Sequence, residues 1–389
     1  MSTTENFIHF HRASIGQEEI DEVTATLRSG WLTTGPRTKQ FEEEFAAYCG
    51  APYALAVNSC TAGLHLALAA LNVGPGDEVI TSPMTFCSTV HVITHTGATP
   101  VLADIGEDGN IDPRSIEERI TPRTRVLLPV HLAGLPCRME EIWALAARHG
   151  LQVVEDAAHA AGARIGNRKI GGDARSAAVA FSFYATKNIT TAEGGMVTTF
   201  DAKLAERMRV LCLHGISRDA WNRYTDKGNW YYEVLEPGFK YNLSDLQSAV
   251  GIHQLRKLEG FLAVRREYVA CYHERFRKLE EVDLPPGDLE GGHAWHLYVL
   301  RLRLGRLRIG RGEFIEELRR RGVGASVHFI PVPMHPAFRD LAAEERNACP
   351  RAAALYERIV TLPLYPAMTR AMVERVADVV EEVVRLWRR

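Results

Sequence analysis

Between about residues 40 and 200, short apolar runs alternate with stretches whose apolar residues recur every three or four positions. The runs at 53–57, 78–82, 100–105, 126–131, 151–155 and 178–183 predict strands, and 61–71 and 139–149 predict helices. Met139, Ile142 and Leu145 keep helical spacing, and Gly150 stands where a left-handed C-cap closes a helix. Strands that are apolar throughout and separated by helices predict an α/β fold, a mostly parallel sheet flanked by helices. Ligands of such sheets sit beyond the carboxyl ends of the strands, so the residues that close each run are the first candidates for chemistry.

The pattern changes after about residue 243. Ser244-Asp245-Leu246-Gln247 has the S-x-x-Q capping form, and a charged amphipathic stretch follows to about residue 281, where Pro285-Pro286-Gly287 stops it. Next come a strand-like segment at 296–303, a helix at 312–321, turns around Pro331, Pro333 and Pro336, and a helix at 369–388. Arg301, Arg303, Arg306, Arg308 and Arg311 alternate with Leu302, Leu304, Leu307 and Ile309, which predicts strand-like segments with one wet face. The division this suggests is an N-terminal arm plus large domain over 1–250. A connecting helix and a smaller C-terminal α/β domain then occupy 251–389.

Composition narrows the class. The chain has 389 residues, 46% hydrophobic and 24% charged, with a net charge of −2. Those values describe an ordinary globular chain without the basic surplus of a nucleic-acid binder. Seven scattered cysteines with no C-x-x-C spacing argue against a disulfide framework or a zinc site and fit a reducing, cytoplasmic setting. Residues 1–12 lack the apolar core of a signal peptide, and no run of about 18 apolar residues predicts a membrane span.

Two strand ends carry the chemistry. Val153-Val154-Glu155-Asp156-Ala157-Ala158-His159 ends an apolar run in an acid and a histidine. Phe181-Ser182-Phe183-Tyr184-Ala185-Thr186-Lys187, followed by Glu193-Gly194-Gly195, ends another in hydroxyls, a lysine and glycines. Either residue alone would be an ordinary capping acid or solvated lysine. Together they form the pair that pyridoxal 5′-phosphate (PLP) requires: an amine to condense with its aldehyde and a carboxylate to keep its pyridine nitrogen protonated. Asn58-Ser59-Cys60-Thr61-Ala62-Gly63 follows a strand and opens a helix, a place where amides and hydroxyls hold an anion. Ser182 can add a hydroxyl, and His159 can lie over a ring. By composition alone Phe86 belongs to the core.

These segments resemble the DegT/DnrJ/EryC1/StrS family of PLP-dependent nucleotide-sugar aminotransferases, of PLP fold type I. Gly30-Trp31-Leu32-Thr33-Thr34-Gly35-Pro36 and Gly238-Phe239-Lys240-Tyr241-Asn242-Leu243-Ser244-Asp245-Leu246-Gln247 match as well, so the resemblance runs from about residue 8 to the C-terminus. It implies that Lys187 carries the cofactor and later shuttles the proton, that Asp156 pairs with the pyridine nitrogen, and that His159 flanks the ring. Thr61, Ala62 and Ser182 would bind the phosphate, and Phe86 would lie near the ring or the sugar. Asn242 would reach the phosphate held by a neighbouring subunit, which implies a homodimer with shared sites. Tyr184, Thr33, His328 and Phe329 are the implied substrate contacts. Tyr184 stands where many members have His, and Cys60 where many have Gly; both bear on substrate fit.

The implied reaction is ping-pong transamination, with glutamate as donor and pyridoxamine 5′-phosphate carrying the amine to a keto-sugar. C4 of a UDP- or dTDP-linked 4-keto-6-deoxyhexose is the expected acceptor site, because Val327-His328-Phe329-Ile330-Pro331 and residues 237–247 resemble members that aminate that carbon. C3 amination, a sugar dehydratase and a non-catalytic regulatory protein on the same fold are the alternatives. Relatives of the dehydratase type carry His where Lys187 stands, and the chain shows no helix-turn-helix or basic DNA-binding segment.

Overall fold

The computed structural model describes residues 7–217, 232–287, 292–344 and 347–389. Its larger sheet contains β1 (Tyr53–Val57), β2 (Glu78–Thr81), β3 (Thr99–Leu102), β4 (Thr124–Leu128), β5 (Gln152–Asp156), β8 (Ala178–Ser182) and β9 (Gly195–Thr199). A small hairpin, β6 (Arg164–Ile165) and β7 (Arg168–Lys169), lies between β5 and β8 in sequence. The order across the larger sheet is β1-β9-β8-β5-β4-β2-β3. Only β9 runs against its neighbours, so the carboxyl ends of the other six share one edge. The α/β fold with a mostly parallel, helix-flanked sheet is therefore present.

Helices cover both faces because each strand buries both of its alternating sets. Ile80, Val101, Leu127 and Val153 pack with Met139, Ile142 and Leu145 of the helix Met139–His149. Their neighbours Val79, Val126, Leu128 and Val154 pack with Leu64, Leu66 and Leu68 of the helix Cys60–Ala70. That helix is buried almost all round, so its sequence carries little periodicity.

The strand at 126–131 begins and ends earlier than predicted, at Thr124–Leu128. Pro129 follows it and has no N–H to continue the ladder. The strand at 100–105 shortens to Thr99–Leu102, with Ala103 N still bonded to Thr81 O at 2.9 Å and Asp104 N turned to Ser115 Oγ.

A three-stranded antiparallel sheet follows: β10 (Val282–Asp283), β11 (Tyr298–Leu302) and β12 (Ile359–Leu362). The helices Asp245–Phe276 and Arg370–Trp387 pack against it through Tyr272, Phe276, Val376 and Val380. The arginine-rich stretch corrects one expectation. The strand stops at Leu302, Leu304–Arg306 is a single 3-10 turn, and Arg311 opens a helix. Leu302, Leu307 and Ile309 are buried nonetheless, so the apolar positions were legible but the element was not. Arg301 is half-buried; its guanidinium donates to Glu107 O at 2.7 Å and Asp108 O at 3.0 Å.

The helix Pro36–Cys49 has a glycine N-cap without a side chain, and its capping group comes from 200 residues away. Asp245 Oδ1 accepts from Gly35 N (2.7 Å), Thr38 N (2.9 Å) and Thr38 Oγ1 (2.8 Å), and Oδ2 accepts from Arg37 N (3.1 Å). Asp245 is 2% exposed, so water cannot replace it. Asp245→Ala is expected to cost about 2–4 kcal/mol, because several buried donors lose their acceptor. A urea titration should show a lower midpoint with an unchanged slope, and Asp245→Asn, which keeps Oδ1, should fall between the two.

Candidate active site

The shared edge of the sheet opens on a cavity of about 400 Å³. Asp156 ends β5 and Ser182 ends β8, and both line it. Ser59, Cys60 and Thr61 enter from the start of the helix that follows β1, and Lys187 from the loop between β8 and β9. Packing requires Gly195 where that loop rejoins the sheet, because a Cβ there would lie 2.7 Å from Cys60 N and from Phe181 O. The opposite wall comes from the region of the smaller sheet and the arm: His296, His328, Phe329, Leu362, Leu364, Phe10 and His11.

Asp156 is 4% exposed. Its Oδ2 accepts from Thr89 Oγ1 at 2.8 Å and its Oδ1 from Ala158 N at 3.0 Å. Burial raises its pKa, while those two bonds and the charge of Lys187 oppose the rise. Among the described residues no salt bridge reaches this carboxylate. When ionised, this carboxylate has acceptor capacity left for a further donor.

Burial acts in the opposite sense on Lys187 and lowers its amine from 10.5 to about 8. The loop that carries it is pinned at both ends. Lys187 N donates to Tyr184 O (2.9 Å), Thr191 N to Phe183 O (2.9 Å) and Phe183 N to Gly194 O (2.8 Å). Asn188 fastens the middle of the loop, its Nδ2 donating to Ala294 O (3.0 Å) and its Oδ1 lying 3.0 Å from His296 Nδ1.

His159 Nδ1 accepts from Ala133 N at 3.2 Å, which leaves the ring proton on Nε2. Burial, then the charge of Lys187, push its pKa well below 6.5, so the ring is neutral. It lies 5.6 Å from the Phe329 ring at 21° and 4.5 Å from His296. His328 is lowered to about 4, mainly by burial, and stacks on Phe10 at 5.4 Å.

At the helix start, Ser59 Oγ accepts from Ala62 N at 3.1 Å. The amide of Ala62 is thus occupied by its own cap, and Ala62 is buried outside the cavity lining, whereas Thr61 lines it. Phe86 is not core: it is 61% exposed on the cavity wall, 6.1 Å from Phe329. Tyr184 lies at the rim, 46% exposed.

Thr33 and Asn242 do not reach this cavity within the chain. Asn242 donates through Nδ2 to Thr34 Oγ1 at 2.7 Å and borders a second surface cavity with Trp31, Thr34 and Tyr53. Thr33 holds the same region together through its carbonyl, which accepts from Asp245 N at 3.2 Å.

Sequence reasoning missed Thr89, Phe10, His11 and His296. No local pattern marks them, since each is brought in by a distant element. The residues fit PLP: an amine, a carboxyl group that no salt bridge reaches among the described residues, and a helix start beside a serine and a threonine.

The sequence matches the DegT/DnrJ/EryC1/StrS aminotransferase family over residues 13–381. The chain belongs to that family. SpsC of Bacillus subtilis strain 168, a spore coat polysaccharide biosynthesis protein, is 50% identical over 384 residues, 98% of each chain. The PLP-form of Spr1654 from Streptococcus pneumoniae superposes with a TM-score of 0.90 at 32% identity, covering 98% of this chain and 99% of that one. DesV of S. venezuelae, solved in complex with a ketimine intermediate, gives 0.86 at 38% identity over 95% of this chain and 94% of that one. This DegT/DnrJ/EryC1/StrS member is a PLP-dependent sugar aminotransferase. Among its described residues no helix is long and apolar enough to cross a membrane.

Proposed function

We propose that the enzyme transfers the amino group of glutamate to C4 of a UDP- or dTDP-linked 4-keto-6-deoxyhexose, with Lys187 and Asp156 as its catalytic pair. The observation that carries this reading is the placement, in one cavity, of an amine lowered to about 8 and a buried carboxylate that no salt bridge reaches among the described residues. Bound PLP supplies an aldehyde that takes up the amine and a ring that withdraws electrons, and it holds the amino group as pyridoxamine phosphate between the two half-reactions.

Asp156 would sit against the pyridine nitrogen and hold a proton there by its charge. Thr61 and Ser182 would hold the phosphate at the helix N-terminus, where the amides and the helix dipole favour an anion. Ala62 would contribute there only through its place in the same turn. His159 would cover one face of the ring as a neutral imidazole. Lys187 Nζ, once free, would take the Cα proton of the amino donor and deliver it onward; in the second half-reaction it would return a proton to the sugar carbon. Phe86, Tyr184, His328 and Phe329 would form the sugar side of the cavity. The C4 assignment rests on the likeness of segments 237–247 and 327–331 to members that aminate that carbon.

Asn242 and Thr33 would act across a homodimer, Asn242 toward the phosphate in the neighbouring subunit. The exposed Trp31, Leu32 and Tyr53 beside them suit a surface that a second copy covers. The seven cysteines, none in a disulfide, suit a cytoplasmic enzyme.

Incubation with L-glutamate and a panel of UDP- and dTDP-keto-sugars tests the reading. A product whose mass and NMR spectrum place nitrogen on C4 supports it, and nitrogen on C3 or a deoxygenated product refutes it.

The pH dependence follows from Lys187. The amine is inactive as a base while protonated, and burial has lowered its pKa from 10.5 to about 8. The single-turnover rate with glutamate is expected to rise with pH through a midpoint near 8 rather than near 10.5. A flat profile between pH 7 and 9 would speak against Lys187 as the base.

A further inference from the structure

Asp156 is held by a chain of hydroxyls whose direction is fixed by chemistry. Thr89 is fully buried and Thr85 is 2% exposed. Thr85 Oγ1 and Thr89 Oγ1 are 2.7 Å apart, and Thr89 Oγ1 is 2.8 Å from Asp156 Oδ2. A hydroxyl has one proton, and an ionised carboxylate can only accept. With Asp156 ionised, as its proposed role requires, the Thr89 proton goes to Asp156 and the Thr89 oxygen accepts from Thr85. The competing acceptor, Phe86 O, is farther away at 3.2 Å.

The other carboxylate oxygen has its own donor in Ala158 N. The Cys60 thiol lies nearer to Ala180 O (3.6 Å) than to Asp156 Oδ1 (4.0 Å), so its single proton does not decide the matter. Each oxygen of Asp156 thus takes one short bond and keeps a lone pair. A charge-assisted bond from a buried hydroxyl is among the stronger ones, and it favours the anion that burial disfavours. Thr85 also lines the cavity, so the chain runs from the cavity wall to the carboxylate.

We propose that Thr89 is a positioning residue for the cofactor: oriented by Thr85, its hydroxyl holds the Asp156 carboxylate in the rotamer and the charge state that the pyridine nitrogen requires. The inference rests on the role proposed above for Asp156. It adds that the helix Ser88–His95, which carries none of the sequence-predicted site residues, sets the electronic state of the ring.

The test is titration of cofactor-free protein with PLP, followed by fluorescence, together with a pH titration of the absorbance of the bound cofactor. Wild type, Thr89→Val, Thr89→Ser, Thr85→Val and Asp156→Asn are compared. Thr89→Val is expected to weaken PLP binding roughly tenfold or more and to shift the pH titration. Thr89→Ser restores both to within about twofold, since it returns the hydroxyl. Thr85→Val falls between, because Thr89 keeps its bond to Asp156 but loses its orientation. Should the valine at 89 not fold, Thr89→Ala removes the hydroxyl without added bulk and carries the same expectation. Unchanged binding and titration in the variant lacking the hydroxyl, with Asp156→Asn weakened, would overturn the proposal for Thr89 alone. Tight binding and an unchanged titration in Asp156→Asn would instead remove the role of Asp156.

Discussion

Lys187→Ala protein is expected to lose sugar amination by at least about 10³-fold, the loss typical when a positioned base disappears, and by more to the extent that the amine also holds the cofactor. No other described lysine lines the cavity, so no second amine can substitute. The void left by the side chain opens into existing space, so the fold is expected to survive. Binding of pyridoxamine phosphate, which needs no bond to the protein, should persist. Single-turnover absorbance with glutamate and equilibrium binding of pyridoxamine phosphate separate the two effects. Amination at the wild-type rate would show that the base is elsewhere.

Asp156→Asn is the second large effect. Asparagine has nearly the same shape, and its carbonyl oxygen can still accept from Thr89 or Ala158. What it cannot do is carry charge. Removing a preorganised charge from a buried site costs on the order of 10²–10³ in turnover, and here the site is 4% exposed, with little solvent to substitute. The expected pattern is intact folding, weakened PLP binding and a slowed proton transfer in both half-reactions. A variant within about threefold of wild type, well under the loss usual for such a charge, would mean that the ring nitrogen is not held cationic by this residue.

Much of this was legible in the sequence because strand ends are local features. The apolar run before Asp156, the run before Ser182 and the helix start after β1 each declare themselves within ten residues, and the sheet topology then places all three on one edge. Composition ranks phenylalanine as a core residue, whereas Phe86 is exposed on a cavity wall. The bond that the Ala62 amide gives to Ser59 Oγ was not legible, because an N-cap and an anion site share one sequence pattern.

What stayed hidden depends on distance in sequence. β9 is antiparallel in a sheet whose other six strands run together, and the glycines at its start gave no sign of that. The cap that Asp245 gives the helix Pro36–Cys49 spans more than 200 residues, and it explains physically why the Gly30–Pro36 and Gly238–Gln247 segments belong together. Thr89 sits in a helix whose sequence reads as apolar and polar residues without a motif, and only its 2.8 Å contact with Asp156 gives it meaning.

The cofactor's attachment point can be read directly. Protein loaded with PLP is reduced with borohydride, digested and analysed by mass spectrometry. A phosphopyridoxyl group on the peptide containing Lys187, and on no other, is the expected result. Its attachment to a different lysine, or recovery of an unlabelled Lys187 peptide from fully loaded protein, would contradict the account.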